Sequence, residues 1–497
     1  MKSKNRREFL RTIPAAAWAA GTGAMMSSII SGGCSTKRPT EATRGVPDDG
    51  RTRWYREAKF GLFIHWGPYS VAGVEASWPI MRPEWFPHSR PISEKEYVEL
   101  PKRFNPIQYD ARAWVQLAKQ ADMRYIVFTT KHHDGFCMFD APGSDYKITN
   151  TPYGKDVLAL LAAACAEQKM PLGFYYSPPD MHHPGFRDTG KPASENWNGE
   201  PSRPQWASYL DYMESHLRTL LTRYGPVAII WFDGLFGVAK YNPPRFHKLI
   251  HELSPNTVIN DRLGPGGDYV TPEQFFPEGI PIKPKEAPSD ITPGMVNAFI
   301  ALAKVLPQKW VAALIASMGK KRYPTAPHPS LQEFQLWETC MTMNDTWAYN
   351  PSDKNFKSPE KLIRTLVEVA SRGGNFLLNV GPAPEGTFPP EAEERLRRIG
   401  EWMQVNGESI YGTTYGPLQN LPFGRTTTKK GTIYLHLFDR PTGRLEMSGF
   451  PGKVASVSLL AGNHACPFEQ SGDRLRIDAP ALPPDAGVSV LAIRTVT

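Results

Sequence analysis

Short apolar runs and amphipathic helical patterns alternate along most of this chain, and this alternation limits the possible folds more than any other feature. Runs typical of strands lie at residues 60–65, 125–130, 172–176, 227–232, 257–260 and 375–379. Helical patterns follow at residues 110–121, 157–166, 206–223, 246–253, 361–370 and 391–405. Strands that are apolar on both faces and joined by helices pair in parallel. The sequence therefore predicts an α/β fold, a (β/α)8-like TIM barrel.

The pattern changes after the barrel-like region. From about residue 415, short segments of alternating hydrophobicity such as residues 432–437 are separated by Gly and Pro turns, which predicts a small C-terminal β-sandwich. The predicted units are an export signal at 1–34, a linker at 35–50, the barrel at 51–414 and the β-sandwich at 415–497. Within the barrel, residues 277–332 read as an insertion. One alternative is that it packs on the outside of the barrel without a function of its own. The other is that it forms a lid or a surface for a partner.

The N-terminus reads as a targeting segment. Arg6 and Arg7 form a twin-arginine pattern before a weakly apolar run, and Cys34 follows small residues as in a lipoprotein cleavage site. We expect an exported, periplasmic or surface protein, with lipidation of Cys34 and simple cleavage as alternatives. No run reaches the roughly 20 clean apolar residues of a membrane span. Residues 1–33 carry half of the formal net charge of +8, so the rest predicts no nucleic-acid partner.

Polar residues follow five consecutive predicted strands. In a TIM barrel the carboxyl ends of the strands meet at one face, where such enzymes keep their chemistry. The five groups are His65-Trp66-Gly67, Lys131 to Gly135 (KHHDG), Tyr175-Tyr176-Ser177, Trp231 to Gly234 (WFDG) and Asn260-Asp261-Arg262. Imidazole, guanidinium and phenol groups around Trp rings suit a sugar, whose hydroxyls need directional partners and whose C–H faces need apolar platforms. A carboxylate among them would supply a nucleophile.

At these residues the sequence resembles glycoside hydrolase family 29, the α-L-fucosidases. Eight motifs carry the resemblance in order, over roughly residues 50 to 415. They are 60–67 (FGLFIHWG), 130–136 (TKHHDGF), 231–234 (WFDG), 260–262 (NDR), 271–274 (TPEQ), 337–341 (WETCM), 371–382 (SRGGNFLLNVGP) and 406–413 (NGESIYGT). The resemblance implies a retaining exo-α-L-fucosidase that acts on fucosylated oligosaccharides or glycoconjugates through a covalent glycosyl-enzyme intermediate, without cofactor or metal.

The resemblance also implies roles for individual residues. Asp233 matches the family's nucleophile, and Glu273 matches the position of its acid/base. Glu338 and Glu278 are competing candidates for the acid/base, because this part of the family varies. The implied ligands of the sugar are His65, Trp78, His132, His133, Tyr175, Trp231 and Arg262.

Three departures from the family pattern leave alternatives open. Ser77 stands where a carboxylate often borders the site, Leu263 replaces a usual Trp, and the insertion is longer than expected. The open choice of acid/base and the missing carboxylate at Ser77 leave a fucose-binding protein that has lost catalysis as the alternative function. A metal-dependent hydrolase using His132, His133 and Asp134 is a third hypothesis, although adjacent residues on a strand point to opposite faces. The preferred linkage and the oligomeric state are not predicted.

Overall fold

The computed structural model describes residues 50–83, 89–234, 237–284, 322–327, 329–330, 332–419, 421–439, 443–478 and 487–496. The α-helices in these ranges are α1 (Arg53–Ala58), α2 (Tyr69–Ala72), α3 (Trp78–Met81), α4 (Glu94–Tyr97), α5 (Ala111–Gln120), α6 (Val157–Glu167), α7 (Trp206–Arg223), α8 (Pro243–Leu253), α9 (Pro359–Ser371) and α10 (Pro390–Asn406).

The strands fall into an N-terminal and a C-terminal group. The first group is β1 (Phe60–Ile64), β2 (Ile126–Lys131), β3 (Leu172–Tyr176), β4 (Ile229–Phe232), β5 (Val258–Ile259), β6 (Ile280–Pro281), β7 (Thr325–Ala326), β8 (Glu338–Thr342) and β9 (Asn375–Val380). The second is β10 (Thr414–Tyr415), β11 (Gly424–Lys429), β12 (Thr432–Leu437), β13 (Arg444–Met447), β14 (Val454–Leu459), β15 (His464–Ala465), β16 (Phe468–Ser471), β17 (Arg474–Asp478) and β18 (Ser489–Thr495).

Local sequence signals account for where the barrel helices begin. Asp110 and Asp156 precede α5 and α6, and each carboxylate accepts a hydrogen bond from a backbone N–H of the first turn. Ser358 caps α9 in the same way, with Pro359 at the first helical position. Such caps satisfy N–H groups that have no partner within the helix, and proline there loses no hydrogen bond.

Seven parallel strands form a curled sheet in the order β5-β4-β3-β2-β1-β9-β8. Every residue of β1, β2, β3 and β9 is buried, as expected where helices cover the outside and side chains fill the inside. The predicted barrel is confirmed. The apolar pattern of the sequence does not predict β8 as a strand, although the motif at residues 337–341 covers most of it.

A short segment, residues 269–273, closes the barrel between β5 and β8. Tyr269 forms a parallel bridge with Asn260, next to β5. Val270 and Glu273 form parallel bridges with Trp337 and Cys340, at and within β8. We call residues 269–273 the closing segment. It occupies the eighth position of the barrel without the continuous ladder of a regular strand.

The C-terminal strands form two antiparallel sheets. One has six strands in the order β10-β11-β12-β18-β14-β15, and the other has three, in the order β13-β17-β16. Apolar residues of both sheets share one core, including Leu435, Leu475, Ile477, Leu491 and Ile493, all fully buried. The predicted C-terminal β-sandwich is confirmed in its architecture.

Some predictions concern parts of the chain outside the described residues. These are the export signal with Cys34, nearly all of the linker, and residues 285–321 of the insertion, and they stay predictions. Within the described ranges, no helix combines the length and the apolar character needed to cross a membrane.

Candidate active site

The carboxyl ends of the barrel strands bring the predicted polar residues to one pocket. All the predicted site residues line it except His133 and Arg262, which contact Asp233 from behind the pocket wall. The lining residues are Phe63, His65, Trp78, His132, Tyr175, Trp231, Asp233, Glu273, Cys340 and Trp347.

Asp233 follows directly after β4 and its carboxylate is held from several sides. Oδ1 accepts a hydrogen bond from Arg262 Nη1 at 2.6 Å, and Oδ2 accepts one from the Tyr175 hydroxyl at 2.8 Å. His133 Nε2 lies 3.8 Å from Oδ2. Burial alone would raise the pKa of Asp233, but the Arg262 guanidinium, His133 and the Tyr175 hydrogen bond lower it below its ordinary value. The group is therefore ionised at neutral pH.

Glu273 lies in the closing segment, opposite Asp233. The backbone N–H of Gln274 donates to the carbonyl of Cys340 at 2.9 Å, and the Gln274 side chain donates to Thr342 Oγ1 at 3.1 Å. These bonds fix the segment against β8. Burial raises the pKa of Glu273, and the charge of Arg262 lowers it. The negative charge of Asp233 raises it further, so that the net shift of the pKa is upward. Two neighbouring carboxyl groups thus have pKa values pushed in opposite directions.

Arg262 joins the two carboxylates. Its Nη1 donates to Asp233, and its Nη2 donates to Glu273 Oε2 at 2.8 Å. Its Nε donates to Thr271 Oγ1 at 2.9 Å, and the guanidinium lies 4.6 Å from the centre of the Trp231 ring. The side chain is only 3% exposed, so both ion pairs are shielded from solvent.

The Asn-Asp-Arg motif has a structural reason as well. The Asn260 side chain accepts from the backbone N–H of Phe232 and donates to its carbonyl, both at 2.9 Å. It thereby extends the pairing of β4 and β5 beyond the end of the short β5. Arg262 follows Asn260 by two residues, and Asp233 directly follows Phe232. The guanidinium of Arg262 therefore lies beside Asp233. The motif therefore sets the position of the guanidinium relative to Asp233.

The two competing acid candidates lie away from the pocket. Glu338 begins β8 and is fully buried below the pocket, where it accepts hydrogen bonds from the Trp231 indole at 3.0 Å and from the Tyr125 hydroxyl. Burial raises its pKa to about 7. Glu278 is exposed, and its backbone carbonyl accepts a hydrogen bond from Arg372 Nε, at the opposite end of the barrel strands. Of the three glutamates, Glu273 alone lines the pocket with Asp233.

Three imidazoles lie in or directly behind the pocket, those of His65, His132 and His133. Burial lowers the pKa of His65 and of His133 to about 4, and it lowers that of His132 well below its ordinary value. All three rings are therefore neutral at pH 7. Neutral imidazoles carry one N–H and one lone pair, so His65 and His132, which line the pocket, can each donate to or accept from a sugar hydroxyl.

The three residues of the metal hypothesis do not converge. The Asp134 carboxylate accepts from the Tyr97 hydroxyl at 2.8 Å and from the backbone N–H of Phe136 at 3.0 Å. It is thus directed away from the pocket that His132 lines. In the part of the chain that the structure describes, no three His, Cys, Asp or Glu side chains are grouped in a way that suits a metal ion.

Sequence reasoning missed three lining residues, Phe63, Cys340 and Trp347. Phe63 lies two positions before His65, so the two-residue period of a strand already places it on the same face. Cys340 faces Glu273 across a parallel bridge, a long-range pairing that no local pattern indicates. Trp347 lies in a loop after β8, and its ring centre is 5.1 Å from that of His65. Trp347 had no sequence signal beyond its residue type.

The chain is similar to known proteins over most of its length. It matches the family model described as alpha-L-fucosidase over residues 35–294 and 304–408. Alpha-L-fucosidase isoenzyme 1 from Paenibacillus thiaminolyticus is 32% identical, with a TM-score of 0.73 over 90% of this chain and 99% of that one. The alpha-L-fucosidase of Dictyostelium discoideum is 26% identical over 82% of this chain and 83% of its own length.

A third relative adds a view of the reaction in another protein. An alpha-L-fucosidase from Bacteroides thetaiotaomicron, solved as a trapped covalent intermediate with 2-fluoro-fucosyl fluoride, has a TM-score of 0.70. It is 24% identical, and the match covers 91% of this chain and 97% of that one. At this identity the likeness concerns the fold.

Proposed function

The chain belongs to the α-L-fucosidase family of glycoside hydrolases, and on this premise we propose that it is a retaining exo-α-L-fucosidase acting on terminal α-L-fucosyl residues of oligosaccharides or glycoconjugates. The observation that carries the proposal is the pair Asp233 and Glu273, bound to one guanidinium with pKa values shifted in opposite directions. A bridge through a single Arg262 is consistent with the separation of about 5 to 5.5 Å between the carboxyl groups of retaining enzymes.

In the first step, Asp233 is the nucleophile. Its carboxylate attacks the anomeric carbon and forms a glycosyl-enzyme ester while the bond from that carbon to the leaving oxygen breaks. Glu273 gives its proton to the leaving oxygen. The lowered pKa of Asp233 and the raised pKa of Glu273 support these roles, since one group must be ionised and the other protonated.

In the second step, Glu273 takes a proton from water, and the water oxygen attacks the anomeric carbon and releases Asp233. Arg262 stabilises the carboxylate of Asp233 whenever it is free. The sugar would lie among His65, His132 and Tyr175, with the Trp231 and Trp78 rings beside it. His133 does not line the pocket, and it acts through its contact with the carboxylate of Asp233.

The decisive experiment is hydrolysis of 4-nitrophenyl α-L-fucoside by the purified chain, with and without EDTA. We expect turnover that EDTA does not change. Proton NMR of the reaction should show the α-anomer of fucose first, because two displacements retain the configuration. Fucose binding without turnover would instead support the binding protein that has lost catalysis, and activity abolished by EDTA would support a metal-dependent hydrolase.

The pH profile of kcat/KM is expected to be bell-shaped. Activity rises with pH as Asp233 ionises, at a pH below the ordinary carboxyl range because its pKa is lowered. It falls again as Glu273 loses its proton, at a pH above the ordinary range because its pKa is raised. The two limbs report apparent pKa values of the pair. The falling limb should disappear in Glu273→Ala, and an unchanged falling limb would assign it to another group.

Glu338→Gln separates a buried structural glutamate from the acid/base. Glutamine can still accept from one of the two donors, Trp231 or Tyr125, through its single amide oxygen, whereas its NH2 group can only donate. We therefore expect kcat/KM to fall less than about tenfold, the loss of roughly one hydrogen bond. The loss should be equal for substrates with good and poor leaving groups. Rates for 4-nitrophenyl α-L-fucoside and a fucosylated disaccharide measure this. A loss confined to the disaccharide would transfer the acid role to Glu338.

A further inference from the structure

Two histidines of the pocket are held by partners with opposite hydrogen-bonding roles. His65 and His132 both line the pocket, and their ring centres are 5.7 Å apart. The Nδ1 atom of each ring faces a buried polar side chain, whereas Nε2 of each has no hydrogen-bond partner among the residues that the structure describes. The partner at Nδ1 decides which nitrogen of a neutral ring carries the proton.

The partner of His65 is Asn379. The Asn379 Nδ2 group donates to the backbone carbonyl of Trp347 at 2.7 Å, and a carbonyl can only accept, so the orientation of the amide is fixed. The Asn379 Oδ1 atom, 2.6 Å from His65 Nδ1, must therefore accept. His65 carries its proton on Nδ1. Its Nε2 is left with a lone pair.

The partner of His132 is Ser77. The fully buried Ser77 Oγ accepts from the backbone N–H of Asp134 at 2.9 Å and lies 2.5 Å from His132 Nδ1. Within the described part of the chain, His132 Nδ1 is the only acceptor that the Ser77 hydroxyl reaches. If His132 donated instead, the serine proton would be buried without an acceptor, which is costly. His132 Nδ1 therefore accepts, and Nε2 carries the proton.

We propose that Asn379 and Ser77 are positioning residues that fix His65 and His132 in opposite tautomers, so that the pocket offers one acceptor and one donor to a sugar hydroxyl. A hydroxyl between them donates to His65 Nε2 and accepts from His132 Nε2–H. The low pKa values of both rings support this arrangement, because an imidazolium ring would offer only donors. The inference deepens the proposed function and rests on it for the identity of the sugar.

The arrangement gives Ser77 a role that its place in the sequence does not suggest. Ser77 stands where the family pattern often has a carboxylate, and this departure leaves the recognition of the leaving group open. In this chain the hydroxyl at that position acts through His132. A carboxylate there could only accept, and it would place the His132 proton on Nδ1.

The test is ¹⁵N NMR of the full chain labelled with ¹⁵N-histidine. Two-bond couplings from the ring nitrogens to Hε1 and Hδ2 distinguish Nδ1 from Nε2, and the chemical shift tells which nitrogen is protonated. Loss of signals in His65→Gln and His132→Gln assigns the two rings. We expect His65 as the Nδ1–H tautomer and His132 as the Nε2–H tautomer at pH 7. The same tautomer in both rings overturns the proposal, whether or not the chain hydrolyses fucosides.

Ser77→Ala tests the positioning role, with Ser70→Ala as the matched control. Ser70 is another buried serine, whose hydroxyl donates to the carbonyl of Gly67. In Ser77→Ala we expect His132 to shift towards the Nδ1–H tautomer and L-fucose to bind about tenfold more weakly by calorimetry, a fold-change typical of one hydrogen bond. The control should change neither. Weaker binding with an unchanged His132 tautomer would show a purely structural role and overturn the proposal.

Asn379→Asp keeps an acceptor at His65 Nδ1 and places a negative charge beside the ring. A carboxylate beside Nδ1 stabilises the imidazolium, so Nε2 becomes a donor, and both ring nitrogens should show the shift of protonated atoms. L-fucose binding should weaken about tenfold at pH 7. If L-fucose bound equally well to the variant with a protonated His65, no acceptor would be needed at His65 Nε2, and the proposal would be overturned. Absence of turnover in the unmodified chain would instead count against the proposed function and leave the tautomer measurement decisive.

Discussion

Asp233→Ala is expected to lower kcat for 4-nitrophenyl α-L-fucoside by about 10⁴-fold, or roughly 5 kcal/mol of transition-state stabilisation. Without the carboxylate no covalent intermediate can form, and the Arg262 charge is left facing an empty space. Sodium azide should restore turnover and yield β-fucosyl azide, because the small anion enters that space and attacks from the same face as the lost carboxylate. Product anomers can be read by proton NMR.

Two comparisons make the Asp233 result interpretable. Asp140→Ala removes a half-exposed carboxylate that pairs with Lys147 and Arg223 on the surface, and it should retain full activity. Circular dichroism and thermal unfolding of both variants check that the fold is kept. Retained turnover in Asp233→Ala, or azide rescue that gives the α-anomer, would contradict the nucleophile assignment.

Glu273→Ala is expected to have an effect that depends on the leaving group. A fucosylated disaccharide needs protonation of its leaving oxygen, so kcat/KM should fall by about 10³-fold, within the range of general acid catalysis. For 4-nitrophenyl α-L-fucoside, kcat/KM should change little, because nitrophenolate leaves without a proton. The second step then becomes slow, since water lacks its base, and a burst of nitrophenolate should precede a slow steady state.

Azide also distinguishes the two carboxylates. In Glu273→Ala it attacks the ester formed with Asp233 from the opposite face, so the product is α-fucosyl azide, the anomer opposite to that from Asp233→Ala. Glu338→Gln serves as the matched glutamate control. Equal losses for both substrates in Glu273→Ala, with no burst, would assign the acid/base to another residue.

The sequence predicts the strands of the barrel and the residues at their carboxyl ends because both signals are local. An apolar run followed at once by His65, His132 or Asp233 is visible within a few positions. The closing segment is not visible in this way. Its partner Asn260 lies nine positions before Tyr269, but its partner Cys340 lies 67 positions after Glu273, and Pro272 interrupts any strand pattern. Its pairing is determined by tertiary structure alone.

Glu338 and Glu273 differ in how deep they lie in the barrel, and the sequence does not indicate this depth. Glu338 and Cys340 are two positions apart on β8 and face the same interior, about 7 Å apart along the strand. Cys340 lies at the level of the pocket beside Glu273, whereas Glu338 lies one layer deeper with Tyr125. The two-residue period of a strand indicates which face of the sheet a side chain occupies, but it does not indicate how deep in the barrel that side chain lies. Ser77 is a similar case, since its effect on His132 depends on a contact across 55 positions of the chain.

The closing segment also links catalysis to the order of folding. Asp233 follows directly after β4, which pairs with its sequence neighbours β3 and β5, contacts that a growing chain can make early. Glu273 takes its place only after β8, some 65 positions later, has docked on β9. During refolding we therefore expect the nucleophile to be in place before its acid, and the recovery of activity to lag behind the recovery of most of the helical circular dichroism signal.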